Sequence, residues 1–343
     1  MIKNLNANEI KKDEKLKQSF INAKYKDFNI NCNIFEGDFF LDSFNYFPIT
    51  KNLNTFSNLF TRDTNLDHDH FFTQSFYSSF KKDKENFKIF NKIFLLGSSA
   101  ADNYYSNLLQ FLPRLFFINE KKIKIGIHRN SSLKLRKFIE KIFNIQNLEF
   151  VFVYLDDNFY SFKNSKFPQF FNIKDSSAVL RKFLKFNNNV IKDKKIYVTR
   201  ENSSYRSIVN ESDIIPMLRS NGFKIINPNL YEIDEQIEIF SGADEIIGSH
   251  GSNLANIVFC KPGTKIYEIG PKFENSYEKF FENRYKNLSD INNLKYSRII
   301  TDTVDVDNHS ELAEKYINKK ILNNSNYYKN LIVKIKDFEL LLN

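Results

Sequence analysis

Cysteine is nearly absent: Cys32 and Cys260 are the only two in 343 residues. That excludes a disulfide-stapled scaffold and any cysteine-built zinc site, and it suits a reducing cytoplasm. No run of 18 apolar residues occurs, which argues against a membrane-spanning helix. The opening stretch Met1–Asp13 is rich in Asn and Lys and carries no apolar signal region, so secretion by the usual route is not expected. Two phosphate-binding signatures are missing as well. Neither G-x-G-x-x-G nor G-x-x-x-x-G-K-[ST] is present, which disfavours classical nicotinamide binding and P-loop ATP hydrolysis.

Apolar side chains and aromatics are plentiful. The apolar fraction is 42%, with 37 Phe and 17 Tyr, and disordered chains lack such a content. The length suggests two domains. Fifty Lys and Arg against 41 Asp and Glu give a formal charge of +9. This charge is spread along the chain, so it favours anionic partners only weakly. No DNA-recognition element is visible, and nucleic acid is not an expected partner.

Glycine is scarce but clustered. Gly222, Gly242, Gly248, Gly251, Gly263 and Gly270 fall within a window of about fifty residues, beside Pro216, Pro228, Pro262 and Pro271. Such residues specify backbone geometry, either for ordinary turns or for loops shaped around a ligand. From Lys92 onward, strand and helix patterns alternate. Strands are expected at 93–96, 123–127 and 150–154, with a helix over Tyr104–Phe116 that Pro113 kinks or tightens. Another helix, capped by Ser131 or Ser132, carries Leu135, Phe138, Ile139, Ile142 and Phe143 on its apolar face. The alternation restarts at Lys195. Strands are expected at 196–199, 223–226, 245–247 and 265–269. Helices are expected at 211–220, ended by Asn221-Gly222, and after Asp234 as cap. The last stretch, 311–342, looks helical but is interrupted by Asn323-Asn324-Ser325-Asn326. Phe186–Asn189 is polar and linker-like, so the expected division is an N-terminal α/β domain over 1–188, a second over 189–309 and a helical extension over 310–343. Two α/β domains of this kind frame a cleft, and ligands of parallel sheets sit beyond the carboxyl ends of the strands.

Three clusters at such ends can carry chemistry. In Thr199–Arg206, followed by Asn210, Arg200 closes a strand and Arg206 lies six residues on. Two guanidinium forks in one loop suit phosphate oxygens, with solvated surface arginines as the plainer alternative. In Gly248–Asn256, small residues permit a tight turn, and the N–H groups of a helix opening at Ser252 can face an anion. His250 either donates to a phosphate there or is a buried structural histidine. In Pro262–Ile269, Glu268 sits in an apolar strand. A carboxylate so placed accepts from sugar or ribose hydroxyls, or forms an internal salt bridge.

These residues, in order and spacing, resemble the family 61 glycosyltransferases, which include bacterial capsular polysaccharide biosynthesis proteins and eukaryotic O-GlcNAc and xylosyl transferases. The likeness is dense over 195–271: Tyr197–Arg200, Arg206–Glu211, Gln236, Ala243-Asp244, Gly248–Phe259, Pro262-Gly263 and Glu268. It continues more weakly at Asn103-Tyr104-Tyr105 and Leu112–Leu115. The resemblance implies an inverting enzyme of the GT-B type, with two Rossmann-like domains facing across a cleft and the nucleotide sugar held mainly by the second. On that basis Arg200 and Arg206 hold the pyrophosphate, His250, Gly251, Ser252 and Asn253 form the turn beneath it, Asn256 supports the loop and Glu268 binds ribose; Asn210 belongs to the same binding set. The family carries a histidine just after the asparagine-aromatic pair of its N-terminal helix, where this chain has Ser106.

Inverting transfer also needs a base for the acceptor hydroxyl. His128 and Asp156, after the second and third strands of the N-terminal half, are candidates, as is Asp102, which serves equally as a helix cap. Asp157 neighbours Asp156. Asp67-His68-Asp69-His70 reads as a solvated turn, an acceptor-side element or a weak metal motif; no metal site is assigned, and no cofactor is expected beyond the nucleotide-sugar donor. The expected partners are that donor and a saccharide or glycolipid acceptor, with surface or capsular polysaccharide synthesis as the setting. A cytoplasmic location follows, with peripheral contact at the inner face of the membrane permitted by the Lys and Phe content. Alternatives are a non-catalytic glycan- or nucleotide-binding module and a nucleotide-sugar epimerase.

Overall fold

A computed structural model describes residues 3–4, 7–24, 30–42, 47–56, 80–97, 103–156, 158–184, 194–201, 203, 205–274, 276–305 and 325–342. The chain divides into two compact units, 1–180 and 181–343. The linker-like Phe186–Asn189 lies outside the described residues.

The first unit is built on a mixed sheet. Its strands are β1 (Lys3–Asn4), β2 (Phe20–Lys24), β3 (Asn31–Asp42), β4 (Phe47–Thr50), β5 (Asn54–Thr55), β6 (Lys88–Asn91), β7 (Ile93–Leu95), β8 (Lys122–His128), β9 (Glu149–Leu155) and β10 (Phe159–Pro168). Their order is β1-β5-β4-β3-β10-β7-β8-β9, with β2 on β3 and β6 on β10. The expected strand-helix alternation covers β7, β8 and β9, which are parallel. β10 then returns beside β7 and pairs antiparallel with the long β3. An extra residue in β10 between Phe162 and Ser165 bulges the pairing, and Asn164 takes a positive φ of 45° there while its N–H donates to Asp38 Oδ1 at 2.9 Å. Ser132 caps the helix Leu133–Ile145 by accepting from Leu135 N at 3.2 Å, and the expected apolar face is buried.

The helical run after Asn103 widens where tightening or a kink was expected. Asn103 Oδ1 caps it by accepting from Ser106 N, and Leu112 N reaches back five residues to Asn107 O. Pro113, which has no N–H to give the ladder, follows directly on this wide turn. Arg114 is fully buried. Its guanidinium donates to Leu96 O and Pro168 O and stacks 4.3 Å from the Phe170 ring, so it ties the ends of β7 and β10 together.

In the second unit the strands are β11 (Lys195–Val198), β12 (Phe223–Ile226), β13 (Glu245–Ser249), β14 (Lys265–Pro271), β15 (Lys295–Val304) and β16 (Asn330–Ile332). They run β12-β11-β13-β14-β15-β16, all parallel except the last pair. This is a doubly wound order: the chain steps from β11 outward to β12, then back past β11 to β13. The carboxyl ends of β11 and β13 flank the switch point, the place where such sheets bind ligands. Helices Glu211–Ser220 and Ile233–Gly242 connect these strands. The first ends at Asn221-Gly222 as expected, with Gly222 at φ +80°. The second is closed at its start by Glu235, which accepts Glu232 N at 2.7 Å, rather than by Asp234. Tyr197, Ile214, Leu218, Ile247, Ile269 and Phe338 share one core. The expected terminal helix is only part of the picture. Within the described residues the tail forms a turn at Asn326–Tyr328, the strand β16 and a helix Ile335–Leu342. Leu331 and Val333 alternate into the core, and that packing overrides helical pattern.

Candidate functional site

Two strand ends at the switch point supply the site. β11 runs out into Thr199 and Arg200. Glu211, at the start of the next helix, accepts from Tyr197 Oη (2.6 Å) and Thr199 Oγ1 (2.9 Å) and so fixes the end of this strand. Ser207 Oγ then donates to Arg200 O and Ser203 O, closing the loop on itself. The returning limb is pinned from the tail: Arg206 N donates to Lys329 O and Leu331 N to Ser207 O. Arg206 takes φ +58° within this pinned turn.

Both arginines are short of partners. Arg200 remains partly exposed as a residue, yet its Nε is buried and, among the described residues, has no hydrogen-bond partner. Its Nη2 donates to Tyr205 O at 3.1 Å. Arg206 is buried, and its Nε and Nη1 likewise lack partners among the described residues. Its guanidinium stacks 4.0 Å from the Tyr327 ring and 4.7 Å from that of Tyr205. Burial, and then the charge of Arg206, pulls the Arg200 guanidinium down from 12.5 to about 10. Burial also acts against the Arg206 cation, but the phenols of Tyr327 and Tyr205 outweigh it and hold that group above its usual value. The same phenols also favour the Arg200 cation, but there burial and the Arg206 charge prevail.

The end of β13 presses against this pair. A methyl group added to Gly251 would lie 1.8 Å from Arg200 Nη1. The residue is glycine for space, since its φ of 177° is ordinary extended backbone. Tyr285 Oη donates to Gly251 O at 2.6 Å and holds the turn. Immediately afterwards a 3₁₀ helix opens at Ser252 and runs to Phe259, and its cap position, Gly251, has no side chain to offer its first turn. Ser252 and Asn253 thus stand at its start, as the sequence suggested.

His250 lies beneath, with only 1% of its surface exposed. Its Nδ1 is hydrogen-bonded to Glu268 Oε1, and Tyr296 Oη donates to Glu268 Oε2 at 2.6 Å. Burial pushes the Glu268 carboxyl up, but His250, Arg298 and the Tyr296 hydroxyl together hold it below its usual range. Burial pulls the His250 imidazole down to about 4, against the pull of Glu268 and assisted by Arg206 and Arg284. A neutral ring that donates Nδ1–H to ionised Glu268 keeps its lone pair at Nε2.

Arg200, Arg206, His250 and Gly251 are thus gathered at one sheet edge. Three other expected binding residues have their polar atoms engaged within the protein. Glu268 is hydrogen-bonded through one oxygen to His250 and through the other to Tyr296, so it orients the imidazole, the internal pairing that stood beside a ribose contact in the sequence reading. Asn256 donates to Gln236 Oε1 (2.9 Å) and Asn253 O (3.2 Å), the loop-supporting position expected of it. Asn210 clasps Val333 through both ends of its amide.

The candidate bases belong to the first unit. His128, at the end of β8, is buried, and its Nδ1 accepts Asn130 N at 3.1 Å. Asp156 forms an exposed ion pair with Arg129 at 2.7 Å. Asp102, Asp157 and Asp67–His70 lie outside the described residues.

Comparison with known families matches residues 55–267 to the Glycosyltransferase 61 model, more than half of the chain. The chain belongs to the glycosyltransferase 61 family. The activity that follows from membership is glycosyl transfer, with a sugar donor and an acceptor as substrates. No curated protein matches the chain. The switch-point residues Arg200, Arg206 and His250 all fall within the family 61 match. Tyr285, Tyr296, Arg298 and Tyr327 do not, and sequence reasoning missed them. Their one available signal was the density of Tyr and Arg in a segment without pattern.

Proposed function

We propose that this family 61 member is an inverting, nucleotide-sugar-dependent glycosyltransferase of the GT-B type. It transfers a sugar to a hydroxyl of a saccharide or glycolipid acceptor during surface or capsular polysaccharide synthesis, in the cytoplasm at the inner face of the membrane, without a metal. Among the described residues no helix is long and apolar enough to cross a membrane.

The reading is carried by one observation: the Nε of Arg200 and the Nε and Nη1 of Arg206 are buried at a switch point without hydrogen-bond partners among the described residues. Two adjacent guanidiniums with no carboxylate partner among the described residues suit a dianion, and a diphosphate matches their forks. In the reaction the acceptor oxygen bonds to the anomeric carbon as the bond from that carbon to the diphosphate oxygen breaks. The diphosphate leaves with the electron pair, and the acceptor proton passes to a base. Arg200 and Arg206 stabilise the developing charge with groups already in place. His250, oriented by Glu268, takes up a proton from solvent at Nε2 as the anion binds and donates it in a hydrogen bond to a phosphate oxygen.

Calorimetry with nucleoside diphosphates tests this: Arg200→Ala should lose binding while its circular dichroism is unchanged. Unaltered affinity would reject the role. Incubation of the donor with and without candidate acceptors separates the alternatives. A transferase releases nucleoside diphosphate only with an acceptor, an epimerase converts the donor alone, and a binding module does neither.

A further inference from the structure

Tyr296 stands in β15, beyond the end of the family match. The parallel register sets Arg298 beside Glu268, and Tyr296, two residues earlier, projects from the same face of the sheet. Its hydroxyl donates to Glu268 Oε2 at 2.6 Å, while the other carboxylate oxygen is bonded to His250 Nδ1. Burial, and then the Glu268 charge, push the Tyr296 phenol up, so it keeps its proton and remains the donor. Imidazole, carboxylate and phenol thus form one chain that starts at the arginine site and ends in β15.

The two bonds draw on the same charge. A carboxylate that accepts from a phenol is less basic, and so a weaker partner for an imidazolium on its other oxygen. Glu268 is the group that favours a proton on His250; burial, Arg206 and Arg284 oppose it. The rings of Phe273, Tyr285 and Tyr327 stand around the imidazole at 5.4, 5.2 and 5.8 Å, and Arg298 acts on Glu268 by its charge. By engaging Glu268, Tyr296 takes the side of the arginines. The ring stays neutral until an anion offsets their charge. This bears on turnover as well as on binding, because a ring that gives up its proton readily also lets the product diphosphate go.

We infer that Tyr296 is a positioning residue acting through Glu268: its hydroxyl keeps His250 from holding a proton in the ligand-free protein, so that the proton arrives with the diphosphate and departs with it. The inference rests on the diphosphate reading of Arg200, Arg206 and His250 given above and deepens it, because it makes β15 the control on that site's proton.

Inorganic pyrophosphate is the probe, since it carries no base or sugar of its own. Its affinity at pH 7 is measured by calorimetry for the full-length protein, Y296F and R200M. The His250 ring is followed by nitrogen-15 NMR as pH is varied, its signals assigned among the five histidines by their loss in H250Q. In the parent the ring should be neutral at pH 7 without pyrophosphate and protonated with it, and R200M should lose binding. In the Y296F complex the ring's titration should move up by about half a pH unit, and pyrophosphate should bind about threefold tighter at pH 7. Losing a hydroxyl of merely structural value would not tighten binding. Unchanged or weaker binding by a folded Y296F would therefore overturn the role of Tyr296, while binding by the parent and its loss in R200M would leave the diphosphate site standing. A ring that stays neutral in the parent complex would overturn the proton coupling and this inference with it. Absence of binding by the parent would overturn the diphosphate site itself. Should Y296F be unfolded by circular dichroism, E268Q replaces it. Glutamine keeps the shape and removes the charge through which Tyr296 acts, so the ring should stay neutral in the complex at pH 7, and a protonated ring would overturn the inference.

Discussion

Replacing Arg200 by methionine should make the ligand-free protein more stable while removing its response to diphosphate. The Arg200 cation lies beside Arg206 with its Nε buried, and its depression from 12.5 to about 10, by burial and by the Arg206 charge, corresponds to roughly 3 kcal/mol of unfavourable interaction at neutral pH. Methionine removes that cost and keeps an apolar stem of similar length. What is lost is the hydrogen bond from Nη2 to Tyr205 O at 3.1 Å, worth about 1 kcal/mol. The balance favours the variant by about 1–2 kcal/mol. Urea unfolding at pH 7, with and without a saturating nucleoside diphosphate, reads both effects. The parent should gain stability from the ligand, as any native-state ligand confers. R200M should start higher and gain nothing. A variant destabilised by 2 kcal/mol or more without ligand, or one still stabilised by it, would refute the idea that the site is an anion-binding site strained by its own charge.

Gly251→Ala places a methyl 1.8 Å from Arg200 Nη1, so kcat/KM should fall about 100-fold in a folded protein, and full activity would contradict the close packing of turn on arginine. Acid should destabilise the second unit in a specific window. His250 is depressed from 6.5 to about 4, so its contribution is complete above pH 6.5 and lost as pH falls toward 4; Glu268, also depressed, acts in the same direction. Unfolding free energy measured from pH 8 to 4 should decline less steeply in His250→Gln, and identical slopes would exclude His250 as the group responsible. Asn256→Ala should lower stability by about 1–3 kcal/mol, since it leaves the buried Gln236 amide oxygen without its donor, while diphosphate affinity of the folded fraction stays near parental. His128→Gln should keep most of its turnover, because His128 Nδ1 already serves Asn130 N; a loss of 1,000-fold or more would restore it as a candidate base.

The second unit was largely legible in the sequence. Its strands are short apolar runs closed by Gly, Pro and Asn, and helix Glu211–Ser220 was placed to the residue. Arg200, Arg206 and His250 were visible because each stands directly after or within a short loop from a strand. Their neighbours were not. Tyr285 and Tyr327 reach the site only through tertiary packing, and nothing local in a helix start or a tail turn marks them. Glu268 was rightly singled out as a carboxylate in an apolar strand, but which partners satisfy it depends on β15 carrying Tyr296 and Arg298, a strand that sequence reasoning did not place. In the first unit, β3 and β10 went unrecognised. Their charged and Asn-containing stretches break the alternation that marks a strand, and the bulge at Asn164 shifts what remains.

A structure with nucleoside diphosphate bound tests the central claim most directly. Phosphate oxygens should lie within about 3 Å of the guanidinium nitrogens of both Arg200 and Arg206, with His250 Nε2 turned toward one of them. A diphosphate bound elsewhere, with those nitrogens still uncontacted, would contradict it.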